Sequence, residues 1–506
     1  MGGYLAGVDV GTTGARAAIF DLAGNALATE YREYGADYAR PGWVEQDPEL
    51  LIAQTMEACR GAVARAGIPP RDIAAVGFSA QRSVTCAVDR DGRVVRPMFS
   101  WQDARTAAEV EELRSLVDPD AYYAQSGLPL GTTWIITKLL WMRRHEPEAY
   151  QRTFKFVQNQ DLVLRAFGAE EFLTDLCCVP FYGVWDVRRA AWNEALLAKL
   201  DLGPERFGRP TAPGTQVGVL SEAAAQRSGF ARGTPLCLGA GDQNCSVVGM
   251  GAIRPGMATV TLGTAGLAIL VSGQPVPGFG GMMVTHHARP GTWEIEGLSN
   301  AAAAAFRWLR DVLGARDGGY EQLTALAADV PPGSRGLLFL PYLATAATPR
   351  WNADARATLV GLTFAHGRAE IARAVMEGVV LEIRDIVERW HTAGLEVRSL
   401  RIGGGATRSA LWNQIQADIY GRPVETLACG ESTVLGAALL GGVGAGLFAS
   451  LDQGVEAMVR VASQVEPDAA RHERYMEMYR AYVRAYEALD TSGTFAALAA
   501  VQSQST

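Results

Sequence analysis

Two stretches of this 506-residue chain share one plan. Tyr4 to Val10 is a short apolar run closed by Gly11-Thr12-Thr13-Gly14, and a second apolar run, Ala15 to Phe20, follows at once. Later, Thr259 to Leu262 runs into Gly263-Thr264-Ala265-Gly266, and Leu267 to Val271 follows. A strand, a Gly-Thr turn and a strand thus recur about 250 residues apart. Self-similarity of this kind predicts a duplicated α/β unit, with two matching halves and a cleft between them. Two unrelated hairpins are the alternative, because short apolar hairpins are common. The length allows two to four domains of ordinary size, and the division is placed near Gly249 to Gly256.

Composition matters for what it excludes. Of 46 basic residues only Lys138, Lys155 and Lys199 are lysines. None lies in a GxxxxGK[ST] loop or in a VAIK-type strand beside a Gly-rich loop, so a Walker A site and a protein-kinase lobe are ruled out. Phosphates would need another cradle. The net charge of -8 argues against a nucleic-acid surface, which demands clustered positive charge. Seven cysteines without a C-x-x-C pair read as reduced cytoplasmic thiols packed as small hydrophobes. Met1-Gly2-Gly3-Tyr4 has no basic n-region, so no signal peptide is expected. No charge occurs between Glu431 and Asp452. That stretch is Gly-rich (Gly436, Gly441, Gly442, Gly444, Gly446) and lacks basic or aromatic flanks, which predicts a buried helix and no membrane span.

Local signals fill in the halves. Asp21-Leu22-Ala23-Gly24-Asn25 turns the chain into a third run, Ala26 to Tyr31, so the opening reads as a β-meander. Asp47 can cap a helix from about Glu49 to Ala66, with Pro48 at its first position. Ile73 to Ser79 is apolar on both faces, as a strand inside a layered sheet would be. Ser399-Leu400-Arg401-Ile402 runs into Gly403-Gly404-Gly405-Ala406 before a helix over Ser409 to Tyr420. Pro467 to Leu489 reads as a terminal surface helix, and Gln502 to Thr506 as a fraying tail.

Three places can carry chemistry. Around Gly11, Thr12, Thr13 and Gly14, a Gly-rich turn exposes backbone N–H groups that bind anions. Asp9 could hold a hydrated Mg²⁺, and Arg16 could supply the charge that lysine does not. A plain hairpin with a turn-capping Asp is the competing account. Gly239-Ala240-Gly241-Asp242-Gln243-Asn244 places a carboxylate at a strand end among small residues, which suits a general base. A helix N-cap is the competing account for Asp242. Gly403-Gly404-Gly405-Ala406 can bring backbone close to a nucleotide or serve as a simple turn. The adjacent His286 and His287 would face opposite ways on a strand, so joint metal ligation is not expected.

Together these residues resemble the FGGY family of carbohydrate kinases, in the actin-like ATPase superfamily. The likeness runs from about Tyr4 to Phe448. The Asp9-x-Gly11-Thr12-Thr13 hairpin is similar to the superfamily phosphate loop. Gly42-Trp43-Val44-Glu45-Gln46-Asp47-Pro48 resembles a family segment, as do Gly241-Asp242-Gln243 and Gly263-Thr264. The most specific stretch is Ala357-Thr358-Leu359-Val360-Gly361-Leu362, then seven residues, then Glu370-Ile371 and Ala374-Val375-Met376-Glu377. The resemblance implies an α/β fold of two actin-like (ribonuclease H-like) domains with a central cleft. Residues 1–250 would bind the sugar and form the first phosphate loop, and residues 251–506 would bind ATP. Gly263 and Thr264 would meet the phosphates, Gly404, Gly405 and Ala406 the adenosine, and Ser409 the adenine. Asp242 would take the proton from the attacking hydroxyl. A homodimer without nucleic-acid or membrane partners is the assembly allowed for.

The substrate is read from fewer residues. Ala80-Gln81-Arg82-Ser83 keeps the Gln-Arg of glycerol kinases and loses their acidic neighbour. Trp101-Gln102-Asp103-x-Arg105-Thr106 and Asp242-Gln243 resemble glycerol kinases too. Gly127-Leu128-Pro129-Leu130 and Lys138-Leu139-Leu140-Trp141 suit a xylulokinase-like member equally. Gln81, Arg82, Asp103, Asp242 and Gln243 are the expected substrate contacts, with Arg82 and Asp103 bracketing hydroxyls. A surface ion pair is the plain alternative for Arg82. Lys138 is expected to support the sugar domain. The first expectation is a ketopentose kinase, xylulokinase-like. A glycerol or other polyol kinase is the alternative, and an actin-like nucleotide-binding protein without sugar chemistry is the rival of another class.

Overall fold

The computed structural model describes residues 3–38, 40–313 and 319–503. Met1, Gly2 and residues 504–506 of the tail expected to fray lie outside the described residues. Gln502 is instead part of a helix, Thr494–Ser503.

Two sheets organise the chain. The first is built from β1 Tyr4–Val10, β2 Gly14–Asp21, β3 Ala26–Glu33, β4 Ile73–Ala80, β5 Gln216–Val219 and β6 Pro235–Gly241. Their spatial order is β5-β6-β4-β1-β2-β3. The second is built from β7 Met257–Leu262, β8 Gly266–Ser272, β9 Met283–His286, β10 Trp293–Ser299, β11 Ser399–Gly403, β12 Val424–Leu427 and β13 Val461–Val465. Their order is β9-β10-β8-β7-β11-β12-β13. In both, the first strand pairs antiparallel across its Gly-Thr turn, with Val10 opposite Ala15 and Leu262 opposite Gly266. In both, that same strand pairs parallel with a strand returning from a crossover, Val10 beside Ala80 and Thr261 beside Gly403. The repeated turns therefore belong to a repeated topology, that of two actin-like (ribonuclease H-like) domains.

Helices hold the sheets from outside and between. α1, Pro48–Ala66, starts where the Asp47 carboxylate accepts from the N–H groups of Glu49 and Leu50 at 2.8 and 3.2 Å. Its buried face, with Leu51, Met56, Cys59 and Val63, lies on β2 and β3. α2, Asp242–Gly249, leaves β6 directly. The charge-free stretch is α5, Ser432–Gly444, after α3 (Arg368–Thr392) and α4 (Ala410–Tyr420). α5 packs against α2 and against β1, β4 and β6 of the first sheet. A helix from the second half of the chain thus covers the first sheet.

Glycines make that approach possible. A Cβ on Gly77 would sit 1.8 Å from the Ala437 carbonyl oxygen, and one on Gly7 1.8 Å from that of Val434. No helix among the described residues is long and apolar enough to cross a membrane. The seven cysteines are free thiols, six of them buried. α6, Ala469–Thr491, is less superficial than its charge suggests, since it buries Tyr475, Met478, Tyr482 and Tyr486.

Candidate active site

Parallel strands bring the expected site residues together. Val10, Ala80 and Gly241 lie side by side in register, so Gly11, Gln81 and Asp242 all leave the carboxyl edge of the first sheet. In the second sheet, Thr261 beside Gly403 brings the Gly263-Thr264 turn next to Gly404-Gly405. Loops at the carboxyl ends of parallel strands are where α/β sheets bind ligands.

Asp242 is not a helix cap. Gly241 occupies the capping position, and the Asp242 carboxylate accepts from the N–H of its neighbour Gln243, at 2.8 Å. Its side chain is one-quarter exposed. Burial pushes its carboxyl above the usual range, against the opposing charge of Arg82. A half-open carboxylate of raised basicity suits a general base. Arg82 reaches Asp242 Oδ1 with Nε at 3.5 Å. It is no surface pair: its two terminal nitrogens donate to Glu296 at 2.7 and 2.8 Å, and its guanidinium stacks over Phe181. Asp9 accepts from the Ser79 hydroxyl at 3.0 Å. Burial, and then the charge of Asp242, push it up to about 7.

A hydrated Mg²⁺ needs one or two carboxylates. Asp9 fits, because its ionised form calls for a nearby cation. The glycine loops fit a nucleotide. Gly404 has φ +87°, and a Cβ there would stand 2.5 Å from the Leu262 carbonyl oxygen. Gly405 has open space where a Cβ would be, and Thr264 is exposed. The Gly263 carbonyl accepts from Ala303 N at 2.8 Å, which fixes the turn. At the first turn, Thr12 Oγ1 accepts from the Trp101 indole at 3.0 Å and Thr13 shares a hydrogen bond with the Tyr31 hydroxyl. Gln81 is buried; its Nε2 donates to Gln46 at 2.9 Å, and its Oε1 has no hydrogen-bond partner among the described residues. Gln243 is half-buried beside Asp242.

Some expected contacts lie elsewhere. Asp103 does not bracket a hydroxyl: its side chain is fully enclosed, held by Arg105 at 2.6 Å, Lys138 at 3.3 Å and Val44 N at 2.8 Å. Burial alone would raise its carboxyl, but the Arg105 hydrogen bond and the Lys138 charge hold it below the usual range. Lys138, wholly buried against Asp103, is pulled down by burial to about 8. Arg16 is no free cation, because Glu431 engages its guanidinium and Tyr31 stacks on it. Ser409 caps α4 by accepting from Trp412 N at 3.3 Å, which leaves its hydroxyl proton to donate outward. His286 accepts from the Trp185 indole at 2.9 Å, whereas His287 meets Arg289 N at 2.9 Å, so the two part ways. No cluster of metal-binding side chains occurs among the described residues.

Sequence reasoning missed Gln46, Ser79, Asn244, Glu294 and Glu296 as working residues. Gln46 Nε2 donates to the Thr12 carbonyl at 2.7 Å and so ties Gln81 to the first turn. Asn244 donates to Glu294 at 2.8 Å. The available signal was Trp293-Glu294-Ile295-Glu296-Gly297: two acids alternating with an aliphatic residue in a central strand, where acids are rare unless partnered.

The N-terminal domain model of the FGGY family of carbohydrate kinases matches residues 4–249, and the C-terminal domain model matches residues 258–445. A glycerol kinase of Aromatoleum aromaticum is 34% identical over 483 residues, covering 93% of this chain and 96% of the relative. A xylulose kinase of Staphylococcus epidermidis is 26% identical over 484 residues, covering 95% and 96%. Among solved structures, the xylulose kinase from Rhodospirillum rubrum matches with a TM-score of 0.88 and 28% identity, covering 96% of this chain and 99% of that one. With both family domains in order and a full-length relative at one-third identity, this chain belongs to the FGGY family of carbohydrate kinases.

Proposed function

We propose that this chain transfers the γ-phosphoryl group of ATP, with Mg²⁺, to a hydroxyl of a small polyol of the glycerol class. The observation that carries the reading is Asp242: an uncapped carboxylate of raised basicity between Asp9 and Arg82, at the edge where both phosphate loops open. It accepts the hydroxyl proton as the oxygen forms its bond to phosphorus and the bond to the ADP oxygen breaks. Bound Mg²⁺ would neutralise charge on the phosphates, with Asp9 among its holders. Backbone N–H groups at Gly11 and Gly263, with Thr12, Thr13 and Thr264, position the phosphates. Positioning of this kind accounts for much of phosphoryl-transfer catalysis.

The glycerol class replaces the ketopentose as first choice. Supporting it are the glycerol kinase relative at 34% identity against 26% for the xylulose kinase, together with Gln81-Arg82, Trp101 and Asp242-Gln243. A ketopentose is the second reading, favoured by the likeness to the Rhodospirillum rubrum xylulose kinase. A panel of glycerol, erythritol, D-xylulose, L-xylulose and D-ribulose, read as ADP release, separates them. Glycerol or erythritol is expected to give the highest kcat/KM. ATP turnover indifferent to every alcohol would favour the actin-like rival without sugar chemistry. Asp242→Asn is expected to keep ADP binding and lower kcat by ~10²–10⁴; near-normal kcat would remove Asp242 from the base role.

A further inference from the structure

Glu294 and Glu296 are two residues apart on β10, so both side chains point from the same face of the second sheet. Both are buried, at 0% and 1% exposure, and both reach residues of the first half. Glu296 grips Arg82 with two parallel hydrogen bonds, and Glu294 accepts from Asn244, two residues beyond Asp242 on α2. The planar fork of arginine fixes direction as well as distance when it is held bidentately. With both terminal nitrogens taken by Glu296, the remaining Nε lies 3.5 Å from Asp242 Oδ1. Phe181 closes one face of the guanidinium. Gly241 lets the stem pass: a Cβ there would stand 2.6 Å from Arg82 Cγ and 2.8 Å from Cδ. Arg82 therefore has one orientation, and a residue from the nucleotide-binding half sets it.

We propose that Glu296 is a positioning residue for the phosphoryl acceptor. Through Arg82 it fixes the direction of the charge beside Asp242 and beside the substrate hydroxyl. The proposal rests on the kinase reading only for where the substrate lies; the geometry of the Glu296–Arg82–Asp242 line does not depend on it.

The test uses Glu296→Gln, which keeps shape and one acceptor, and Glu296→Asp, which keeps charge and shortens the reach. In the full-length chain, Glu296→Gln is expected to raise KM for the polyol and lower its kcat, with kcat/KM down by about 10²-fold, as a small misplacement at a reacting centre costs. KM for ATP should stay within about twofold, and Glu296→Asp should recover part of kcat. A merely structural role would reduce the active fraction without shifting one KM against the other. The inference is overturned if Glu296→Gln has polyol kcat and KM within about twofold of the parent. A second readout needs no turnover. The Nε–H resonance of Arg82 in arginine-labelled protein, assigned by its loss in Arg82→Lys, should be sharp in the parent and shifted or exchange-broadened in Glu296→Gln. An unchanged resonance overturns the inference even if no alcohol proves to be a substrate. If Glu296→Gln fails to fold, Glu296→Asp takes its place in both measurements: a parent-like polyol kcat and KM, or a parent-like Arg82 resonance, overturns the inference in the same way.

Discussion

Glu294 and Glu296 differ in how they meet their charge. Glu296 has a guanidinium opposite it. Glu294 has a neutral amide, and its second oxygen, 3.8 Å from His287 Nε2, has no hydrogen-bond partner among the described residues. Burial, reinforced by the charge of Glu296, pushes the Glu294 carboxyl up to about 8. The unfolded chain releases that proton near the ordinary value of 4.5. Between those two pH values the folded state holds a proton that the unfolded state gives up, so stability falls as pH rises through the window. Glu294→Gln removes the loss. Its Tm is expected to match the parent near the lower limit and to exceed it by several degrees above the upper one, measured by thermal unfolding across pH. Glu382, which burial likewise pushes up to about 8, keeps part of the slope in both proteins. Parallel pH profiles for parent and variant would show that Glu294 carries no proton.

At the scale of elements, strands and turns were legible because their cause is local. Short apolar runs, Gly-Thr turns and the Asp47-Pro48 start are short-range signals, and each element they mark lies where it was read. Asp103 was misread because its partners are 2 and 35 positions away, and only folding shows that Arg105 and Lys138 enclose it. The Glu296–Arg82 pair spans 214 positions, beyond any motif. The signature that marks the family is itself a packing device: Glu377 on α3 accepts from Arg373, Tyr475, Ser334 and Gly333 N. The seat of α5 is the other long-range element. Gly77→Ala forces a methyl group against the Ala437 carbonyl and is expected to cost about 1–3 kcal/mol or more, as overpacking does, read from urea unfolding. An unchanged midpoint would mean that α5 shifts freely on the sheet.

For the molecule as a whole, the proposed function puts a nucleotide between the carboxyl edges of the two sheets, and a ligand that binds only the folded state stabilises it by mass action. ADP with Mg²⁺ at a hundred times its Kd is expected to add about 2.7 kcal/mol, seen as a rise in Tm. Gly404→Ala, which places a Cβ against Leu262 at a left-handed φ, should abolish most of that rise. The polyol alone should give a smaller shift, lost in Glu296→Gln. A full ADP shift in Gly404→Ala would place the nucleotide elsewhere.

The seat of α5 also sets an order on synthesis. A ribosome delivers the first sheet early, yet the face of that sheet around Leu5, Ala75 and Cys237 is covered by Leu435, Leu439 and Leu440, which emerge hundreds of residues later. Until then the nascent first half presents apolar β-structure without its cover, the state in which growing chains aggregate or recruit chaperones. A polypeptide ending at residue 250 is therefore expected in the pellet on expression. The same polypeptide made together with residues 251–506 is expected in the supernatant.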